Sequence, residues 1–517
     1  MKKIKAVLRW TGRTLLVLLA TFALFILEEN IRGRIMLSRY KAELRANGEK
    51  LTLAELNLPK PSLETNGAAA LLAIADQVKK DAHETRETGY IPEGLVFVRP
   101  GVAVVMHKQR APVVDSYPSG LLEPCGTWDD DSNITATVDT ALEQAEQIVR
   151  QRPVQFVLDY SEGAGMRLPH LHRVRYLSEW FAGNVLVKLH NGNIDGAMES
   201  LEDVRKLTDS IADERVQICQ LERINCEKEL LSLAWELVHA DKVTDAELAC
   251  LQQICTLPDV TDVMQQAFEM QVISHLRIYR LMRERGVVAD LRESLRPDRF
   301  VQGGWKESLA MPVWLVWRFA CLDQDERRAL ELWYAILQQA RDGNRSGCWV
   351  RARAFLPEDP FPRRPQWFYD RWRYGWSQSA VSVTWRRSAL VCYRLQSERE
   401  LTLAAIAVKR FELRSGRLPA ELQALVPEFL SRVPVDYMDG NQLRYRLNGN
   451  GTFTLYSVGD DGADDGGNPS SLEPRMSLGS IWYGRDAVWP VAATQEEVEA
   501  MDIANATPGQ LKALRGR

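Results

Sequence analysis

The sequence predicts a mainly α-helical protein, built of helical hairpins in a bundle or solenoid-like stack, that ends in a C-terminal α+β module. Three observations carry this. An apolar stretch follows a basic prefix at the start, apolar residues recur at helical spacing across most of 131–345, and an alternating hairpin pattern appears after residue 440. At 517 residues the chain exceeds one ordinary core, so roughly two or three domains are expected. The net charge of −4 argues against a nucleic-acid partner, because neutralising phosphates takes a clustered basic excess.

The N-terminal anchor, 1–34, reads MKKIKAVLRWTGRTLLVLLATFALFILEENIRGR. Five basic residues precede an apolar run from Leu15 to Leu27, and counting from about residue 8 to 27 brings it to the ~20 residues a span needs. The run ends in Ile26, Leu27, Glu28 and Glu29 rather than in small residues, which favours an uncleaved signal anchor over a signal peptide. Arg32, Arg34, Arg39 and Lys41 follow it, so the positive-inside rule favours a cytoplasmic N-terminus only by the larger cluster in front.

Residues 35–130 read as a mixed α/β region, with two short strands in GLVFVRPGVAVVMH broken at Pro100 and Gly101. Asp129, Asp130 and Asp131 are expected to cap the helix that carries Val138, Ala141, Leu142, Ala145, Ile148 and Val149. Residues 131–345 form the α-helical domain. One stripe is Leu177, Phe181, Val185 and Leu189, closed by His-Asn-Gly-Asn at 190–193; a second is Met198, Leu201, Val204 and Leu207. Thr244 with Glu247 makes a capping box, Asp323 starts a further helix, and Gly343 is read as its end.

Sites of chemistry are scarce. His170 and His172 in LPHLHRVR enter a helix, and no HExxH motif or carboxylate at helical spacing completes a metal site there. No GxSxG, GxxxxGK[ST] or GxGxxG sits at a strand–helix junction. The eight cysteines contain no CxxC and are read as small buried apolar residues, which counts against an oxidising compartment. The alternative to a non-enzymatic protein is an envelope hydrolase with a carboxylate-based site in the helical body, since paired carboxylates are common.

The connection 346–378 is rich in arginine, tryptophan and proline. Its prolines suit a pinned linker, whereas Arg363, Arg364, Trp367, Arg371, Trp372 and Arg373 are candidates for a surface contact with lipid headgroups or another partner. The module 379–490 follows: a long helix ending at Gly416, a turn at Asp439 and Gly440, and a hairpin over Asn-Gly-Asn-Gly at 448–451. The tail, 491–517, is read as partly helical.

The returning strand runs into LYSVGDDGADDGG, with Asp460, Asp461, Asp464 and Asp465 wrapped in glycines. Clustered aspartates in a glycine-rich loop supply the oxygens that calcium prefers. An exposed acidic turn would serve as well without an ion, because two aspartates ~6 Å apart in water repel by only about 0.7 kcal/mol. The order of GRLP, VPVDYMDGNQLRYR and FTLYSVGDDG resembles the C-terminal half of the major pseudopilin of type II secretion systems, over about 385–490. That resemblance implies a structural calcium ion held by Asp461 and Asp486, with backbone carbonyls near Leu455 and Val458, and Asp460, Asp464 and Asp465 as further candidates. It also implies a bacterial inner-membrane protein, crossing once, whose body faces the periplasm. Such a protein would work in binding or assembly beside other envelope proteins, near secretion or pilus-like machinery. The N-terminal anchor lacks the pseudopilin leader and its glutamate-bearing helix, so a filament subunit is not implied.

Overall fold

The computed structural model describes residues 2–56, 58, 65–84, 94–109, 128, 138–284, 314–355, 373, 374, 377, 385–471 and 480–505. The expected capping aspartates at 129–131, and Arg363, Arg364, Trp367, Arg371 and Trp372, lie outside these. The described chain is mainly helical, with a small antiparallel sheet near the C-terminus, as the hydrophobic spacing predicts.

Helix α1 runs from Lys2 to Ala46 as one element of 45 residues. Leu15, Leu16, Val17, Leu18, Leu19, Phe22, Leu24 and Leu27 are all exposed on it. Among the described residues it is the one helix long and apolar enough to cross a membrane. Its second half is packed against the body instead. Glu29, Leu37 and Leu44 are buried, and a Cβ on Gly33 would meet Gln324 Cγ at 2.9 Å, so the glycine permits the closest approach.

The body continues through α2 (Ala68–Glu84), β1 (Phe97–Arg99), β2 (Val102–Ala103), α3 (Met106–Gln109) and α4 (Asp139–Gln151). Three antiparallel neighbours follow: α5 (Leu171–His190), α6 (Ile194–Asp209) and α7 (Gln217–Val238). Both apolar stripes of α5 and α6 are buried as their spacing predicts. The turn between them uses Gly192 at φ +71° and Asn193, whose side chain accepts from Gly196 N at 3.0 Å. Helix α8 (Asp245–Ile254) opens with the predicted capping box, in which Thr244 N donates to Glu247 at 2.6 Å and Glu247 N to Thr244 Oγ1 at 3.2 Å.

Helices α9 (Thr261–Glu284), α10 (Leu322–Ser346), α11 (Trp349–Phe355) and α12 (Trp385–Ser415) complete the body. Helix α10 does not stop at Gly343. It continues to Ser346, and Gly347 at φ +75° takes the left-handed position that ends it. Gly343 is a packing residue: it is buried, and its carbonyl accepts from the Tyr393 hydroxyl at 3.0 Å.

Strands β3 (Arg444–Leu447), β4 (Phe453–Ser457) and β5 (Ala487–Val488) form an antiparallel sheet in that order. The hairpin register pairs Leu447 with Phe453, and Asn448 N donates to Thr452 O at 2.8 Å across the predicted turn. The sheet lies on the C-terminal half of α12, where Leu401, Ala404, Ala405 and Val408 pack with Leu425, Leu443 and Leu455. Two short elements follow, β6 (Val491–Ala492) and α13 (Gln495–Asn505). Strand β6 pairs in parallel with β2, which itself pairs antiparallel with β1, so a three-stranded sheet joins residues near 100 to residues near 490. A continuous core runs through these segments, from Leu37 in α1 to Val498 in α13.

Burial pushes the Glu29 carboxyl up, but hydrogen bonds from Gln324 and Arg32 and the charges of Arg373 and Arg32 outweigh this and hold it below its ordinary value. Glu29→Ala would remove the carboxylate shared by buried Gln324, half-buried Arg373 and exposed Arg32. It is expected to cost about 3 kcal/mol in unfolding measurements on the detergent-solubilised protein, because breaking a buried ionic network strands its remaining members.

Candidate functional site

The acidic loop is built around one carboxylate. Asp486 is fully buried, and its oxygens accept from Gly467 N at 2.8 Å, Asn468 N at 2.9 Å and Asp465 N at 3.3 Å. Burial raises its pKa, the three N–H donors oppose the rise, and the nearby Asp464 adds to it. The other aspartates point elsewhere. Asp460 forms an ion pair with Arg394, and exposed Asp461 accepts from Ala463 N at 2.9 Å. Asp464 accepts from the Tyr456 hydroxyl and from Gly466 N, both at 3.0 Å, while Asp465 lies 3.7 Å from Arg485. The Leu455 carbonyl accepts from Trp489 N at 2.9 Å, and Val458 N donates to Asp436 at 2.9 Å. Gly462, at φ +70°, has no room for a side chain, since a Cβ would meet Val350 Cγ2 at 2.2 Å.

Asp436 is the second organiser of this module and was not singled out in the sequence. It is fully buried and accepts from Met438 N, Val458 N, the Ser457 hydroxyl and Arg444, all between 2.7 and 2.9 Å. It fastens the chain ahead of β3 to the end of β4. Arg373, expected at a surface contact, is half-buried and pairs with Glu29 at 3.0 Å.

A cleft of about 860 Å³ opens on another face of the body. Leu53 and Leu58 line one side; Val154, Phe156, Val157 and Leu158 line another; Lys206, Asp209, Asp213 and Glu214 form a polar rim. Residues 153–158 form neither helix nor strand. Asn66 holds this segment through Gln155 alone, accepting from its N at 3.1 Å and donating to its O at 2.6 Å. Among the described residues, the backbone groups of Phe156, Val157 and Leu158 make no hydrogen bond.

Behind Glu214, His170 Nε2 lies 3.0 Å from Glu214 Oε2, and the Cys219 thiol completes a buried group whose ligand atoms all fall within 4.8 Å of one another. Among the described residues, no three of the loop aspartates converge in this way. The carboxylate that local spacing did not supply to His170 comes from the turn after α6, and the thiol from the first turn of α7. Sequence spacing held no signal for this, because the three residues meet only once α5, α6 and α7 pack. The chain matches no known protein family, no curated protein and no solved structure.

A separate cluster titrates within the body. Glu229 on α7 accepts from the Ser178 hydroxyl at 2.5 Å and faces Glu179, Glu222 and Arg175. Burial pushes Glu229 up to about 7; the Ser178 hydrogen bond opposes this, Glu179 and Glu222 reinforce it, and Arg175 opposes it. A carboxyl raised on folding binds its proton more tightly when folded. Its contribution is therefore complete below the unfolded value, ~4.5, and is lost as pH rises through about 7. Glu229→Gln is expected to flatten the fall in melting temperature between pH 5 and pH 8, and an unchanged slope would show that other groups govern it.

Proposed function

We propose that this protein is a single-pass protein of the bacterial inner membrane whose body, in the periplasm, binds an extended apolar peptide segment of another envelope protein. The observation that carries the reading is the cleft with its irregular, hydrogen-bond-poor wall. Val157 is 65% exposed, the walls are largely aliphatic and aromatic, and among the described residues the backbone from Phe156 to Leu158 has no hydrogen-bond partner, so an added strand could pair with it. A ligand strand would gain main-chain hydrogen bonds there while its alternate side chains enter the cleft. The apolar lining supports binding over the carboxylate hydrolase that was the alternative reading.

Placement rests on two further supports. The exposed apolar half of α1 suits a bilayer, and the basic residues Lys2, Lys3, Lys5, Arg9 and Arg13 ahead of it suit a cytoplasmic N-terminus. The resemblance of 385–490 to the pseudopilin module supports work beside secretion or pilus-like machinery. Because Glu29 and Gly33 are packed into the body, a soluble form is made by cutting before Glu29, not at the 34/35 boundary read from composition.

The test is capture of apolar, extended peptides by the solubilised full chain. Val157→Asp is expected to weaken binding at least tenfold, because a charge would be buried against Phe156 and the ligand. Equal binding by the variant would overturn the cleft as the site.

Calcium in the acidic loop belongs to the same proposal. Its support is the set of exposed carboxylates of Asp461, Asp464 and Asp465 on a loop that closes over buried Asp486. Calcium is expected to raise the melting temperature of the wild type, and neither Asp461→Ala nor Asp486→Ala is expected to respond. Asp486→Ala should also melt earlier in chelator, since three backbone N–H groups lose their acceptor. A wild type that melts alike with calcium and with chelator would leave the loop closed by Asp486 alone.

A further inference from the structure

His170, Glu214 and Cys219 come from two stretches of the chain, 44 residues apart, and each is held in place before any ligand arrives. His170 is the residue just ahead of α5, it is 2% exposed, and its ring stacks on Phe156 with centroids 4.5 Å apart. Glu214 sits in the tight turn between α6 and α7. The Gln220 amide nitrogen fixes that turn by donating to the carbonyls of Ile211 at 3.3 Å, Ala212 at 3.1 Å and Glu214 itself at 2.6 Å. Arg215 N donates to the Tyr160 hydroxyl at 3.2 Å, and Arg215 Nη1 to Leu56 O at 2.8 Å, tying the same turn to the cleft wall. Cys219, fully buried, occupies the first turn of α7, where the helix's unpaired N–H groups favour negative charge.

The cluster is unsatisfied as it stands. Glu214 is only 6% exposed, yet its Oε1 has no hydrogen-bond partner among the described residues. A buried carboxylate oxygen without a partner costs free energy that most native structures avoid. Beside it lies the fully buried Cys219 thiol, close enough to Glu214 to share a weak hydrogen bond with its carboxylate. A carboxylate, an imidazole and a thiol drawn together with one oxygen left over make a poor hydrogen-bond network, but they are a complete ligand set for a borderline-soft divalent cation.

The geometry points to a zinc-type metal site at His170 Nε2, the Glu214 carboxylate and Cys219 Sγ, reached from the cleft through Glu214. Ligand atoms within 4.8 Å of one another need only small side-chain rotations to stand about 2.0–2.3 Å from one ion. The mixed N, O and S donor set selects zinc over magnesium or calcium, which prefer oxygen alone. On binding, the Cys219 proton leaves to solvent or buffer and the thiolate sulfur joins the ion, so affinity falls as pH is lowered. Three protein ligands leave a tetrahedral ion one position short. Glu214 lines the cleft, so water, or an oxygen or nitrogen of whatever the cleft holds, takes that position. Zinc binding here does not depend on the peptide reading, and a chain that binds zinc but no peptide would refute only the latter.

The experiment uses the full chain in detergent, stripped of metal and titrated with zinc against a competing chromophoric chelator, then with cobalt as a spectroscopic probe. One equivalent of zinc is expected to bind, with cobalt giving a near-ultraviolet thiolate-to-metal charge-transfer band. Cys219→Ser should abolish that band and weaken zinc by more than the ~10–100-fold that loss of a mere outer partner costs. Glu214→Gln should weaken zinc while keeping the band. The controls are Cys250→Ser, the exposed thiol, and Asp461→Ala in the acidic loop; both should bind as the wild type does. Absence of stoichiometric zinc from the wild type, or a charge-transfer band that survives Cys219→Ser, would overturn the site and leave His170 and Glu214 as a simple hydrogen-bonded pair.

Discussion

One helix is required to satisfy two solvents, and the arrangement of the body follows from that. Helix α1 is exposed and apolar almost throughout from Leu15 to Leu27, and two residues later it carries a buried glutamate. With a rise of ~1.5 Å per residue, Glu29 sits about 3 Å beyond the end of the exposed apolar run. The packed half of the helix therefore begins directly after that run, with no stalk between them. Glu29 draws Arg32, Gln324 and Arg373 to one point, Gly33 lets α10 approach, and Lys41 reaches Glu326 farther down. Most of these contacts are polar, so their orientation is specific in a way that an apolar contact would not be. Any tilt or rotation of the span is passed directly to α10.

Much of the fold was legible in the sequence because it is locally encoded. The stripes of α5 and α6, the Thr244 capping box and the turn at 448–451 each lie within a few residues of one another, and each is where spacing places it. The misplaced end of α10 shows the limit of that logic. Gly343 looks like punctuation, yet what decides its role is Tyr393, fifty positions on, whose hydroxyl needs the Gly343 carbonyl. The pairing of β2 with β6 was illegible for the same reason. Two residues of strand carry no periodicity, and their partner lies almost the whole chain away.

The candidate sites divide along the same line. The aspartates at 460–465 are conspicuous in sequence, but in the fold most of them meet N–H groups, arginines or a tyrosine hydroxyl of their own neighbourhood. Density of charge in a sequence is a weak guide to convergence in space. Asp436 and Glu214 attract no notice in the sequence, and each becomes the focus of buried donors or ligands only through tertiary contacts. Arginine does a similar concealed job: Arg394 and Arg444 each neutralise loop aspartates, which is why so acidic a segment folds compactly.

The pairing of β2 with β6 sets an order on biogenesis. Strand β2 is the middle of its sheet, and until residues 491 and 492 arrive one of its edges is bare. Gly101 O and Ala103 O find their partners, Val491 N and Ala493 N, only then, and the Trp235 indole waits for Pro490 O. Since a chain is made N-terminus first, helix α1 is complete long before that edge is covered. A chain that stops short of residue 490 keeps an open strand edge, a ready template for wrong pairing and a mark by which quality control can recognise it. Strand β6 thus works as a check on length: only a chain translated past residue 492 can close the sheet laid down near residue 100.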